Sequence, residues 1–387
     1  MGDPVVVIGG GIAGASAAYF LALSGRCDGV VLLEAEAQLA QHTTGRSAAL
    51  LTENYGSPPV RPLTTASLDF LHSPPDDLVD QPVLSPRGIM TVSTLTDTHD
   101  KLERELAEGA SGTNPIVEIS PREAEDLAPH VHFGPDHRIM WEAHAFDIDV
   151  AALHQCYVRG FKDLGGEIRT SNRVDAATRG QGDSHAWRVE TTAGSLPASC
   201  IVNAAGAWGD VVAERAGVAP IGLRPLKRTA FMVTSPFEDS AEFAFVAEVR
   251  HQWYLRPDGR QFMCSPADEA PSEPCDARAD EVDIARTIDL LNDHTKLQIR
   301  SVNSHWAGLR TFAPDRAMVI GPEPEQPDFV WCVGQGGTGI QTSPAAGRLT
   351  ADLIVAGEPS TGFAEVGLDL AACLPDRLRI DEPFERQ

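Results

Sequence analysis

Three glycines, Gly9, Gly11 and Gly14, stand in the spacing G-x-G-x-x-G, and a carboxylate, Glu34, follows the last of them by 20 residues. Glycines so spaced answer three demands of a bound pyrophosphate: a tight turn, close approach to the backbone, and close packing of helix on strand. Ile12 and Ala13 open a small-residue segment whose helical N-terminus would turn N–H groups and the positive dipole end toward phosphate. Glu34, with Ala35 after it, suits ribose hydroxyls, and an acid there disfavours a 2′-phosphate. The pattern predicts a dinucleotide site for FAD or NAD rather than NADP.

The elements that must hold these residues are legible around them. Residues 5–8 form a short β-branched run suited to a buried parallel strand. Residues 13–23 predict a helix closed near Gly25, and 30–33 a second apolar strand. The next stretch, with Thr44, Gly45, Arg46, Ser47 and Ala49, is rich in small and hydroxyl residues. It predicts backbone pressed against a flat ligand, with Arg46 free to meet a phosphate. Residues 200–203 read as a strand running into Ala204, Ala205 and Gly206, small residues that let a cofactor approach a strand's carboxyl end. Residues 329–333 read as another, opening into a glycine-rich turn with Gly336, Gly337, Gly339, Ile340, Gln341 and Thr342. Its following helix, 344–356, offers a second dipole end. Elsewhere the pattern predicts helices at 60–71, 97–108, 145–161, 209–216 and 284–291, strands at 84–92 and 167–174, and an exposed acidic loop at 270–283. The class is α/β.

Composition narrows the rest. A chain of 387 residues suits two domains, and 42% apolar with 22% charged residues is ordinary for a globular protein. The first strand begins so near Met1 that no signal peptide fits, and no apolar run approaches a membrane span, so a cytoplasmic protein without an integral membrane segment is expected. Seven scattered cysteines without a C-x-x-C predict neither disulfides nor a metal site. A net charge of −24 argues against nucleic acid as a partner.

Four separated motifs, VVVIGGGIAGASAAYFLA with Glu34, TTGRSAA, IVNAAGAW, and WAGLRTF with VGQGGTGIQTS, together resemble the FAD-dependent amine and D-amino-acid oxidoreductases, the group of D-amino-acid oxidase, glycine oxidase and sarcosine oxidase. The likeness is greatest to the bacterial FAD-dependent D-amino-acid dehydrogenases of the D-arginine type. It implies a Rossmann-like FAD-binding domain (1–75, 143–215 and 305–387) interleaved with an α+β substrate domain (76–142 and 216–304) carrying a mixed sheet. Val174 joins the FAD-contacting residues on the same ground.

The resemblance also implies a chemistry. The substrate's Cα–H leaves as hydride to flavin N5, and the resulting imine hydrolyses to a 2-oxo acid and ammonia. Arg310 and Arg228 would grip the carboxylate, a task that suits the always-charged guanidinium fork. Tyr254 and Tyr55 would donate hydroxyls, and Gly337 would offer its carbonyl to the amine. Partners would be an amino acid and an electron acceptor: a quinone, a dye or oxygen. Two positions depart from the D-arginine type, with Leu50 replacing a histidine and Ile89 replacing the glutamate that holds a guanidinium. An apolar or small side chain is therefore expected to be preferred over a cationic one. No lysine stands near Phe262, where sarcosine oxidases carry one for oxygen, and 311–315 holds no cysteine for covalent flavin, so non-covalent FAD is expected. The alternatives are a glycine-, sarcosine- or proline-type amine oxidase or dehydrogenase, and a non-catalytic flavoprotein subunit.

Overall fold

The computed structural model describes residues 2–109, 114–180 and 186–379. Residues 380–387, 181–185 and 1 of the expected cofactor part, and 110–113 of the expected substrate part, lie outside the described residues.

Two large sheets organise the molecule. The first has six strands in the order Val319–Glu323, Gln326–Val333, Cys200–Asn203, Val5–Ile8, Val30–Leu33 and Glu167–Arg169. Val5–Ile8 lies in its middle, paired parallel and residue for residue with Val30–Leu33 and Cys200–Asn203. Every side chain of these three strands is buried, which is why they read as unbroken apolar runs rather than alternating ones. Helices Ile12–Ser24, Val150–Asp163 and Ser343–Val355 cover one face. A small antiparallel sheet (Val174–Arg179, Trp187–Thr191, Gly194–Ala198) and the helix Gly209–Arg215 cover the other.

The second sheet has nine strands. Arg224–Thr234 lies between Ser304–Phe312, Gln261–Ser265 and the short Ala270–Pro271, and the sheet continues through Tyr254–Asp258, Phe245–Glu248, Ile89–Ser93, Arg138–Glu142 and Val117–Ile119. Alternation sorts its two faces. Phe231 and Val233 join the core under helices Pro121–Leu127 and Glu281–His294. Ala230 and Met232 join Tyr254 and Met263 on the opposite face, against Ala48 and Leu50 of the first half. The strand Ser304–Phe312, which the sequence assigns from 305 to the cofactor part, pairs along its length with Arg224–Thr234 of this sheet.

Several expected elements divide or shift. The helix expected at 60–71 is two, Arg61–Thr65 and Leu68–His72, broken where Ser67 Oγ donates to Leu63 O and accepts from Ala345 N. The strand expected at 84–92 is split between two sheets by Gly88, whose φ of +66° turns the chain. The stretch 145–161 begins as the strand Phe146–Ile148, and Asp149 then caps the helix by accepting from Ala152 N. Asp280 caps Glu281–His294 in the same way through Val282 N, so this helix starts inside the expected loop.

Candidate active site

A cavity of about 440 Å³ runs along the carboxyl ends of the first sheet. Its walls include Gly9, Gly11, Ile12, Ala13, Glu34, Ala35, Thr44, Arg46, Ser47, Val174, Ala205, Gly206, Gly336, Gly337, Gly339 and Ile340. The local chemistry shows how these are held. A Cβ on Gly14 would sit 1.8 Å from the Gly9 carbonyl oxygen, so this glycine seats the helix on the turn and does not itself line the cavity. Thr44 Oγ1 accepts from Ile12 N at 2.9 Å, tying the second motif to the first helix. The Glu34 carboxylate accepts from Gly10 N at 2.7 Å and Glu36 N at 2.9 Å, which fixes it at the end of its strand. A Cβ on Gly206 would meet open space at the cavity wall. Wide, backbone-lined and carrying a fixed carboxylate, the cavity fits FAD.

Some expected contacts fall elsewhere. Arg46 lines the cavity, but its guanidinium is not free: it pairs with Asp276 at 2.5 Å and donates to the carbonyls of Ala277 and Ala307. Asp276 comes from the stretch expected to be an exposed loop, and it ties that segment over the cavity. Gly45 packs against the Ala40 carbonyl, and Thr342 is buried with its hydroxyl on Thr338 O. Neither lines the cavity, whereas Ala49 and Gln341 line a second one.

That second cavity, of about 370 Å³, lies under the larger sheet. Ile89, Met140, Phe245, Ala247 and Ala267 give it apolar walls. Glu105, Glu108 and Glu142 line it too, and nothing in the sequence marked them. Each is already engaged. Glu142 stands at the register opposite Ile89 and accepts from Thr52 Oγ1 and from Asn114 Nδ2 at 2.7 Å. Burial pushes its carboxyl above the usual range, only partly offset by hydrogen bonds from Thr52 and Asn54. Glu105 lies 3.8 Å from Lys101, and Glu108 lies 3.5 Å from Arg61.

The two cavities share Arg228, Tyr254, Arg310 and Gly337 among their walls. The pairing of Leu226 with Arg310 and of Arg228 with Gly308 makes the two arginines diagonal neighbours on one face of adjacent strands. Arg310 Nη1 donates to the Tyr55 hydroxyl at 3.2 Å. A Cβ on Gly337 would lie 2.8 Å from that hydroxyl and 3.0 Å from Arg310 Nη1, so a side chain here would push the Tyr55 and Arg310 tips out of their present positions. Tyr254 is buried, while Tyr55 is 42% exposed at the outer side. Burial and the neighbouring Arg310 lower the Arg228 pKa from its ordinary value. Burial works against the Arg310 cation as well, but Tyr55, Tyr254 and Glu269 outweigh it and hold its pKa up. Two guanidiniums side by side in a partly dry site are a receptor for an anion, and two parallel forks suit a carboxylate. Among the described residues no group of three or more His, Cys, Asp or Glu side chains could hold a metal ion, and no helix is long and apolar enough to cross a membrane.

Residues 4–353 match the family model described as DAO, FAD dependent oxidoreductase. The chain is 25% identical over 408 residues to the FAD-dependent oxidoreductase domain-containing protein 1 of Bos taurus, covering 92% of this chain and 82% of that one. It is 25% identical over 373 residues to glycine oxidase of Pseudomonas putida, covering 93% and 96%. Among solved structures, L-proline dehydrogenase from P. horikoshii superposes with a TM-score of 0.80 at 19% identity, over 98% of each chain.

Proposed function

The chain belongs to the FAD-dependent oxidoreductases that act on amino-acid and amine donors, and from that premise we propose that it oxidatively deaminates an amino acid held by its carboxylate between Arg228 and Arg310. The observation that carries this reading is the convergence of Arg310, Tyr55 and Gly337, beside Arg228 and Tyr254, where the two cavities meet. FAD, when bound, supplies the hydride acceptor for the substrate Cα–H. The glycine turn at 9–14 and Glu34 would hold its phosphates and ribose. The Gly336–Gly339 turn would lie under its reactive end, without a covalent link. Arg228 and Arg310 orient the substrate through its carboxylate, the Tyr55 and Tyr254 hydroxyls add donors, and the Gly337 carbonyl accepts from the amine. The division of the chain at 75, 143, 215 and 305 follows this split of labour, with Ser304–Phe312 serving both parts.

The side chain enters the second cavity, where Ile89, Phe245 and Ala247 meet it. Within this proposal the substrate is a D-amino acid with an apolar or small side chain. The acids on that wall already have partners. Glu142 accepts from the neutral donors Thr52 and Asn114 while burial works against its charge, and Lys101 and Arg61 lie 3.8 and 3.5 Å from Glu105 and Glu108. A guanidinium would have to compete for its counter-charge, and uncompensated burial is costly. A glycine-, sarcosine- or proline-type substrate is the second reading, favoured by the glycine oxidase relative. The test is anaerobic reduction of the FAD-loaded protein by D- and L-Leu, D-Arg, glycine, sarcosine and proline, repeated on Ile89→Glu. D-Leu should lead on the native chain, and Ile89→Glu should move the D-Arg to D-Leu ratio upward. A native preference for D-Arg contradicts the apolar assignment.

A further inference from the structure

We propose that Glu269 is a positioning residue for the carboxylate clamp: it turns Arg228 toward Arg310 and offsets the repulsion between the two guanidiniums. The inference rests on the clamp reading above. Arg228 approaches the cavity junction from a strand, and its head is held from behind. Nε donates to the Asp268 carbonyl at 2.8 Å, and Nη2 reaches Glu269 Oε1 at 3.3 Å. The short segment that supplies these acceptors is built to stay put. Asp268 accepts from Thr229 N at 2.6 Å and from Thr229 Oγ1 at 3.0 Å, so it is anchored to the residue next to Arg228. Ser265 Oγ donates to Thr229 O at 2.6 Å and accepts from Ala267 N at 3.0 Å. Ala267 takes a left-handed φ of +53°, a costly conformation for alanine that swings the next two residues back over Arg228.

Glu269 is fixed in turn from the other half of the molecule. Arg316 grips it with both arms of its fork, Nη2 to Oε1 at 3.0 Å and Nη1 to Oε2 at 3.2 Å. The Arg316 guanidinium lies 3.8 Å from the centre of the Phe312 ring, and that ring packs under Gly336. The strap therefore runs from the glycine-rich turn through Phe312, Arg316 and Glu269 to Arg228. Among the described residues Arg310 has no ion pair within 4 Å, and Glu269 is the carboxylate whose charge acts on both clamp cations. Burial would raise its carboxyl, but Arg316, Arg228 and Arg310 outweigh that and hold it below the usual range, so it stays charged. Without it the guanidiniums would have no fixed anion between substrate encounters, and Arg228 would turn outward. A bound substrate carboxylate supplies that anion itself. The loss is therefore felt on binding and much less in the chemical step.

The experiment uses the full chain loaded with FAD, as Glu269→Ala, Glu269→Gln, Arg228→Met, Arg310→Met and the double variant Arg228→Met/Glu269→Ala. Benzoate serves as a plain carboxylate probe through the flavin absorbance, and steady-state kinetics use the best amino acid of the panel. Glu269→Ala should raise the benzoate Kd and the KM about tenfold, with kcat changed less than about threefold and FAD content unchanged. Glu269→Gln, which keeps a weaker acceptor in the same shape, should fall between native and alanine. In the Arg228→Met background, Glu269→Ala should add nothing, since its effect passes through Arg228. Unchanged or tighter benzoate binding in Glu269→Ala overturns the proposal, because removing a negative charge without a positioning role would only favour an anion. A full additional loss in the Arg228→Met background overturns it too, pointing to a general structural role. If Arg228→Met and Arg310→Met both leave benzoate binding unchanged, the clamp reading itself falls.

Discussion

The two cavities that meet at Arg310 are made of different material. The cofactor cavity is opened by glycines and alanines at the ends of buried strands, Gly9 and Gly11, Ala204 to Gly206, and Gly336, Gly337 and Gly339, with side chains such as His42 and Trp208 completing its walls. The second cavity, the proposed substrate site, is walled by side chains from seven strands and two helices, among them Ile89, Met140, Arg228, Phe245, Tyr254 and Glu105. Backbone walls depend on residues being absent of side chain, so they tolerate almost no addition. Side-chain walls tolerate exchange, and each exchange changes what fits. The first cavity should therefore fail outright when altered, and the second should change selectivity.

The largest expected effect is in the first. Gly14→Ala puts a methyl 1.8 Å from the Gly9 carbonyl oxygen and 3.0 Å from its carbon, backbone atoms that cannot yield without parting helix and strand. The cost should reach about 3 kcal/mol, and the purified protein should lose its flavin on gel filtration and melt earlier. Retention of stoichiometric FAD would erase the contrast between the cavities. Next comes Arg310→Met, in the shared wall. It should keep FAD and lose roughly 2–5 kcal/mol of transition-state stabilisation, read as kcat/KM for amino acids.

This contrast also explains what the amino-acid sequence discloses. A turn that must be glycine, followed by a buried strand and an acid, is written in consecutive residues. Gly9 to Glu34 and the Gly336 turn are accordingly found where the pattern predicts them. The substrate cavity has no such local record. Glu142 and Ile89 are neighbours only because two antiparallel strands share a register, and Glu269 reaches Arg316 across the two halves. Arg46 illustrates the opposite error. Its loop resembles a phosphate-binding stretch, but the partner that occupies it, Asp276, lies 230 residues away. The caps Asp149 and Asp280, one inside the expected helix and one inside the expected loop, put the helix starts at Val150 and Glu281 rather than at 145 and 284.

Smaller effects sharpen the side-chain half. With no lysine beside Phe262, reduced flavin should react with oxygen slowly compared with a quinone or dye, measured as oxygen uptake against dye bleaching at equal substrate. Rapid stoichiometric peroxide formation would reverse that expectation. Smallest is Glu142→Gln. A carboxyl raised by burial holds its proton more tightly folded than unfolded, so its contribution to stability is present below the ordinary glutamate value of about 4.3 and fades as pH rises through the raised one. Glu142→Gln should then melt higher than the native protein at neutral pH, with the gain vanishing in acid. It should leave the D-Leu to D-Arg ratio unmoved. A changed ratio would make Glu142 a participant in substrate choice.

The central claim is that Arg228 and Arg310 select a carboxylate at the mouth of the FAD cavity. Its most direct test is anaerobic mixing of the FAD-loaded protein with an amino acid and, separately, with the amine left when that amino acid loses its carboxylate, leucine against isoamylamine. The amino acid should bleach the flavin band while the amine leaves it nearly untouched, and Arg310→Met should abolish the difference. Equal bleaching by both on the native protein would contradict the account.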